Sequence, residues 1–137
     1  MKTQKGLTLI EVLIALLVLT IGLVGIAAIN VASMSAAHSA YYRSLASFMA
    51  QDAEERLWVR MAEQERLPTG ADVAAVEAAW VGTWVDYMPA LGMALTRFEP
   101  GGPNPTRVDV EISVTWAEGR FGTAVTESFE YLARVYR

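Results

Sequence analysis

The stretch Lys5-Gly6-Leu7-Thr8-Leu9-Ile10-Glu11, followed by the uncharged run Val12 to Ile29, sets the organisation of this chain. A basic flank and a glycine lead into an apolar segment that admits one carboxylate near its start. An ionised acid at the middle of a bilayer helix costs roughly 2.5–3.5 kcal/mol on insertion scales, and less near the interface. An acid kept in such a place points to a function. Glu11 stands about one helical turn inside the apolar segment, close enough to the headgroups to wait there and pair with a positive group when helices associate. A helix-end acid facing the positive end of the helix dipole would be worth only a few tenths of a kcal/mol.

The heptapeptide Leu7-Thr8-Leu9-Ile10-Glu11-Val12-Leu13 after Gly6 resembles the N-terminal class III signal of type IV prepilins and of the related pseudopilins of type II secretion. The resemblance implies a membrane peptidase that cuts between Gly6 and Leu7 and methylates the new Leu7 amine. It also implies that Glu11 neutralises the N-terminal amine of a neighbouring subunit. Leucine stands here where phenylalanine is commoner in the family. Leu19-Thr20-Ile21-Gly22-Leu23-Val24-Gly25-Ile26-Ala27 looks like the anchor of PilV-type minor pilins, the type IV pilus modification proteins. Gly22 and Gly25 each cost roughly 1 kcal/mol relative to alanine in a helix interior, and their spacing is not the Gly-x-x-x-Gly of tight helix pairs. They mark local softness or close approach by a neighbouring helix.

An ordinary secretory leader has an apolar core of about 7–15 residues and a small-x-small cleavage site. This run has 18 residues and continues without a turn. Lys2 and Lys5 precede it and no Lys or Arg follows until Arg43. The positive-inside rule then keeps the leader cytoplasmic and exports the rest. The expected location is the bacterial inner membrane with a periplasmic head, and the filament after assembly.

The chain has 137 residues, 53% of them hydrophobic, with a mean hydropathy of +0.29, so it has room for one small domain beyond the anchor. Loss of residues 1–6, with their two lysines, takes the formal charge from −4 to −6. Such a balance offers no basic patch, and nucleic acid is not an expected partner. The absence of cysteine leaves stability to packing alone. Many major pilins close a C-terminal loop with a disulfide, so a minor pilin or pseudopilin fits this sequence better.

No proline occurs before Pro68. From Tyr42 the apolar residues Tyr42, Leu45, Met49, Ala53, Leu57 and Met61 recur at spacings of three or four, one face of an amphipathic helix. A single helix from Leu7 to about Arg66 would measure on the order of 90 Å. Thr69 or Asp72 is placed to cap a second helix to about Met88, with Val73, Val76, Trp80, Trp84 and Tyr87 on one side. That stripe reads as core rather than as an aromatic ligand box. Pro89 ends or kinks the helix, and Pro100 to Pro105 reads as loop. Val108, Val110, Ile112, Val114 and Trp116 alternate with polar residues as in a half-buried strand. Residues 117–122 turn, and Thr123 to Tyr136 return with Phe129, Tyr131, Ala133 and Val135 on one face.

The predicted fold class is α+β. A long N-terminal helix, membrane-spanning in its first half, packs on a small antiparallel sheet, which is also the pilin lollipop. The boundaries are a leader at 1–6, a transmembrane or filament-core helix at 7–31, its amphipathic continuation at 32–67 and an α/β head at 68–137 with a C-terminal hairpin.

Enzyme chemistry has little footing. His38 is the single histidine, without cysteine or paired acids at metal spacing, and reads as a stem residue. Ser33, Ser35, Ser39, Ser44 and Ser47 have no histidine base in any motif, and Gly101-Gly102 is not a phosphate loop. No cofactor and no metal are expected. The function these residues indicate is that of a minor pilin assisting pilus assembly through helix packing, with the prepilin peptidase, other pilins and the inner membrane as partners. A minor pseudopilin is the alternative within the class. A single-span anchored binding or enzymatic module is the alternative outside it.

Overall fold

The computed structural model describes residues 8–98, 106–119 and 125–137. Its elements are α1 (Leu9–Gln64), α2 (Gly70–Trp84), β1 (Gly92–Phe98), β2 (Arg107–Glu118) and β3 (Val125–Tyr136). The chain divides into two compact units, Met1–His38 and Ser39–Arg137. In the first, the described residues form the start of α1 and expose every large apolar side chain from Leu9 to Met34. In the second, the outer part of α1, α2 and the three strands share one core. The class is α+β, as the sequence indicates.

The amphipathic stripe of α1 becomes that core's floor. Tyr42, Met49, Ala53 and Leu57 are buried, and Leu45 and Met61 pack against them half-buried. Ala46 and Ala50 are buried too, small enough to let the sheet and α2 approach the helix backbone. Opposite them, Val108, Val110, Ile112, Val114 and Trp116 of β2 and Ala133 and Val135 of β3 all lie within 1% of full burial. The alternation read from the sequence is thus the alternation of β2 between core and solvent.

Strand order is β1-β2-β3, antiparallel throughout. In the registers, Leu95 lies opposite Ile112, and Val110 opposite Ala133. The sequence reading does not locate β1, and the reason is physical. Of its seven residues only Leu95 is buried, so β1 shows no run of alternation. It is held from outside its own sequence: the Leu95 amide donates to Glu77 Oε2 of α2 at 3.1 Å, and Arg97 Nε donates to the Pro68 carbonyl at 2.9 Å. The expected loop at 100–105 and the second half of the expected turn at 117–122 lie outside the described residues. Of the latter, Ala117 and Glu118 belong to β2.

Both candidate caps of α2 take part in one capping box. The Asp72 amide donates to Thr69 Oγ1, and Asp72 Oδ2 accepts from the Thr69 amide at 2.8 Å. The same carboxylate accepts from Arg66 at 2.7 Å and from Gln64 at 3.1 Å, so it ties the end of α1 to the start of α2. At the other end α2 stops at Trp84, four residues short of the expected Met88. Pro89 disfavours helical geometry at Met88. Met88 turns into the core while Tyr87 is 61% exposed, and Ala90 takes a left-handed φ of 49° as the chain bends toward β1. The Pro89 carbonyl then accepts from the Ala117 amide at 3.0 Å.

The tryptophan pair divides in the same way. Trp80 is fully buried, and its indole N–H donates to the Met49 carbonyl of α1 at 2.8 Å. Trp84 is half-buried and donates to Asp52 Oδ2 at 2.8 Å. Trp80 is core, while Trp84 closes the rim. Truncation of Trp80 to alanine is expected to destabilise the second unit by about 3–5 kcal/mol, with a smaller loss for Trp84→Ala. Denaturant unfolding followed by far-ultraviolet circular dichroism measures both.

The Arg66 guanidinium, first among the donors around it, holds the Asp72 carboxyl well below the usual carboxylate range. A depressed folded-state pKa stabilises the fold above the unfolded value, about 3.9, and that contribution disappears as pH falls through the folded value. The stability advantage of the native chain over Asp72→Asn is therefore expected to be full near pH 7 and to shrink progressively below about pH 4. Thermal unfolding of the two proteins across pH 2–7, on the order of one scan per pH unit, gives the comparison.

Candidate assembly segment

In the described part of the N-terminal segment, α1 begins just after Thr8, whose carbonyl accepts from the Glu11 amide at 3.0 Å and the Val12 amide at 3.3 Å. Glu11 therefore sits in the first turn, where its charge faces the positive end of the helix dipole. Its side chain is exposed and has no hydrogen bond or ion pair among the described residues. Gly6 and Leu7, the expected cleavage pair, lie outside the described residues.

Behind Glu11 the helix is apolar on every side. One window of it has a mean hydropathy of 3.0, long and apolar enough to cross a membrane by length and composition, and none of that window is buried within the chain. Leu9, Ile10, Ile14, Val18, Ile21, Val24 and Ile29 point in all directions around the axis, each more than half exposed. A helix of this kind is stable only where another apolar medium, lipid or neighbouring helices, surrounds it. The one hydroxyl in the run Val12 to Ile29 is satisfied locally, with Thr20 Oγ1 donating to the Leu17 carbonyl at 2.8 Å. At Gly22 and Gly25 an added Cβ would meet nothing within 4 Å. No contact among the described residues accounts for either glycine.

The second unit offers little to chemistry. Among the described residues a groove of about 340 Å³ runs between α1 and α2, lined in part by Val59, Ala75, Val76 and Ala79. Four of the charges on its rim are paired: Arg56 bonds Asp52 at 2.9 Å and also donates to Thr83 at 3.2 Å, and Arg60 lies 3.6 Å from Glu63. Among the described residues no three His, Cys, Asp or Glu side chains gather as metal ligands would. His38, half-buried on α1, stands outside the groove. The sequence-predicted residues are thus not brought together into a pocket. Glu11, Gly22 and Gly25 are strung along one exposed helix.

The features that sequence reasoning missed belong to the second unit. Glu54 of α1 accepts from the Tyr131 hydroxyl of β3 at 2.6 Å, which raises the phenol's pKa. Glu77 occupies the outer edge of β1. Both are acids in helical sequence that carry no motif, and their partners lie 77 and 18 residues away.

No curated protein and no solved structure matches the chain. Residues 1–27 match the family model described as the prokaryotic N-terminal methylation motif. That match takes in Gly6, Leu7, Glu11, Gly22 and Gly25, and it ends inside the exposed apolar helix. The N-terminal segment is therefore type IV prepilin-like, of the kind shared by pilins and pseudopilins, structural proteins rather than enzymes.

Proposed function

We propose that this chain is a minor pilin of a type IV pilus. The observation that carries the reading is a membrane-length apolar stretch at the start of α1, none of whose residues is buried among the described residues, beginning inside the methylation motif with one acid in its first turn. In this reading residues 1–6 are the leader, the prepilin peptidase cuts between Gly6 and Leu7, and Leu7 is N-methylated. Residues 7–31 wait in the inner membrane, residues 32–67 carry the helix outward, and residues 68–137 complete a periplasmic head. On assembly the apolar helices of neighbouring subunits bury against one another. Gly22 and Gly25 let a neighbour come close, and Glu11 meets the amine of a Leu7 or its equivalent.

The mechanism follows from solvation. A carboxylate entering a helix bundle loses water, and only a positive group at contact distance offsets that loss. The pair thereby selects one axial register, because a neighbour shifted by a turn strands both charges. The PilV-like anchor and the absence of cysteine favour a minor subunit. A minor pseudopilin of a type II secretion system shares the same motif and is the second reading; the genes adjoining this one, for a pilus or for a secretion machine, separate the two. A membrane-anchored binding or enzymatic module would keep its N-terminus uncut.

Co-expression with a prepilin peptidase and intact-mass analysis of the membrane-extracted protein is expected to show loss of residues 1–6 and gain of one methyl. An uncut chain, or cleavage at Ala27 or beyond, removes the filament reading. Glu11→Ala is expected to be cleaved normally but to enter filaments poorly, since stranding one charge of a buried pair costs about 3–5 kcal/mol. Immunoblotting of sheared filaments against membranes measures it, and normal entry by Glu11→Ala would sink the pairing mechanism.

A further inference from the structure

The two edges of the sheet are treated differently. The Arg137 amide donates to the carbonyl of Thr106, the residue directly opposite it, at 3.0 Å. In an antiparallel ladder hydrogen-bonded and non-bonded pairs alternate. The odd-numbered residues of β3 therefore bond to β2, and Thr126, Ser128, Glu130, Leu132, Arg134 and Tyr136 direct their backbone N–H and C=O groups away from the sheet. The same alternation carried across β2 turns Leu95 outward on β1, where Glu77 receives its amide. The β1 edge is thus covered within the chain. Among the described residues, no element covers the β3 edge.

The side chains along that open edge are self-complementary in one register. We infer that β3 pairs antiparallel, edge to edge, with β3 of a second copy of this chain, about a two-fold axis through Leu132. Ser128, Glu130, Leu132, Arg134 and Tyr136 then each face a residue whose backbone also points outward, so the ladder closes along the shared edge. In that register Glu130 lies opposite Arg134 twice, on the solvent-facing side. On the other side Glu127 lies opposite Arg137 twice. Leu132, 46% exposed in the single chain, meets its own equivalent. Every other register that keeps outward-pointing residues opposed breaks both charge pairings. Backbone parity and side-chain charge thus select the same alignment independently. Cross-strand opposite charges stabilise such a pairing and like charges oppose it.

Glu127 already stands 3.6 Å from Arg43 of α1, an exposed partner that it keeps or shares on pairing. Outward charges are the usual guard of a free edge against indiscriminate pairing. Here they leave one alignment open. A two-fold axis normal to the sheet also turns the outer part of α1 end for end, because that helix lies on one face of the sheet. The contact therefore joins copies whose outer α1 segments run in opposite directions, members of separate assemblies rather than neighbours in the parallel helix packing proposed above. It stands on the second unit alone and does not depend on the filament reading.

The chain has no cysteine, so a single introduced thiol reports on this contact without background. Full-length Leu132→Cys, purified in detergent, is expected on mild oxidation to form a disulfide dimer at least tenfold faster than Ser128→Cys, whose thiol would face Tyr136 of the second copy. Adding Glu130→Arg to Leu132→Cys is expected to slow cross-linking at least tenfold. Adding Glu130→Arg together with Arg134→Glu is expected to restore it, with circular dichroism showing each variant folded. Equal cross-linking at positions 128 and 132, none at either, indifference to Glu130→Arg, or failure of the charge swap to restore the rate each overturns the proposal.

Discussion

Everything in this chain depends on how its first helix is solvated. A backbone that enters an apolar medium must satisfy its own hydrogen bonds, and an uninterrupted α-helix is the simplest way to do so. The chain meets that constraint by excluding proline until Pro68 and continuing α1 to Gln64. Its side chains meet the converse constraint: from Leu9 to Met34 the large apolar ones are exposed among the described residues. The surface is uneconomical in water and appropriate to lipid or a helix bundle. Glu11 is the exception within it, which is why it carries so much of the functional reading.

Past Tyr42 the same helix changes its solvent. Its apolar residues narrow to one stripe, and that stripe becomes one wall of a core whose other walls are α2 and the sheet. A small unit without disulfides gains from having a preformed helix to fold against, because the helix brings ordered apolar surface at little added entropy. Alanines at 46, 50 and 53 keep that wall flat. They allow Trp80 to reach the Met49 carbonyl, a contact that a bulkier stripe would hold at a distance.

What the sequence made legible follows from where the determinants lie. β2 was readable because its burial alternates residue by residue from Val108 to Trp116. The start of α2 was readable because both halves of its capping box, Thr69 and Asp72, are three residues apart. β1 was not, since it is an edge strand with one buried side chain, held by Glu77 and Pro68 from elsewhere. The end of α2 was misplaced because helical phase put Tyr87 inward, and the turn toward β1 chose Met88 instead. For the candidate site the legibility runs the other way. Glu11 stands out in sequence as an acid among apolar residues, yet the role proposed for it is one between chains, which a single chain does not display, and Gly6 and Leu7 lie outside the described residues.

The acidic balance of the second unit has a structural component that composition alone would assign to solubility. Four carboxylates each fasten a different junction. Asp72 joins the end of α1 to the start of α2, and Asp52 holds the rim tryptophan of α2 against α1. Glu77 joins α2 to β1, and Glu54 joins α1 to β3. Each accepts from a donor that the fold would otherwise leave in a partly dry place, and a hydrogen bond to a charged acceptor is worth about 1.5–3 kcal/mol. Such bonds are directional, whereas the valines and alanines of the core are nearly interchangeable in shape. The apolar residues therefore drive collapse onto α1, and the acids decide which of the possible arrangements is kept. A cysteine-free unit needs that second contribution more than one whose loops are closed covalently.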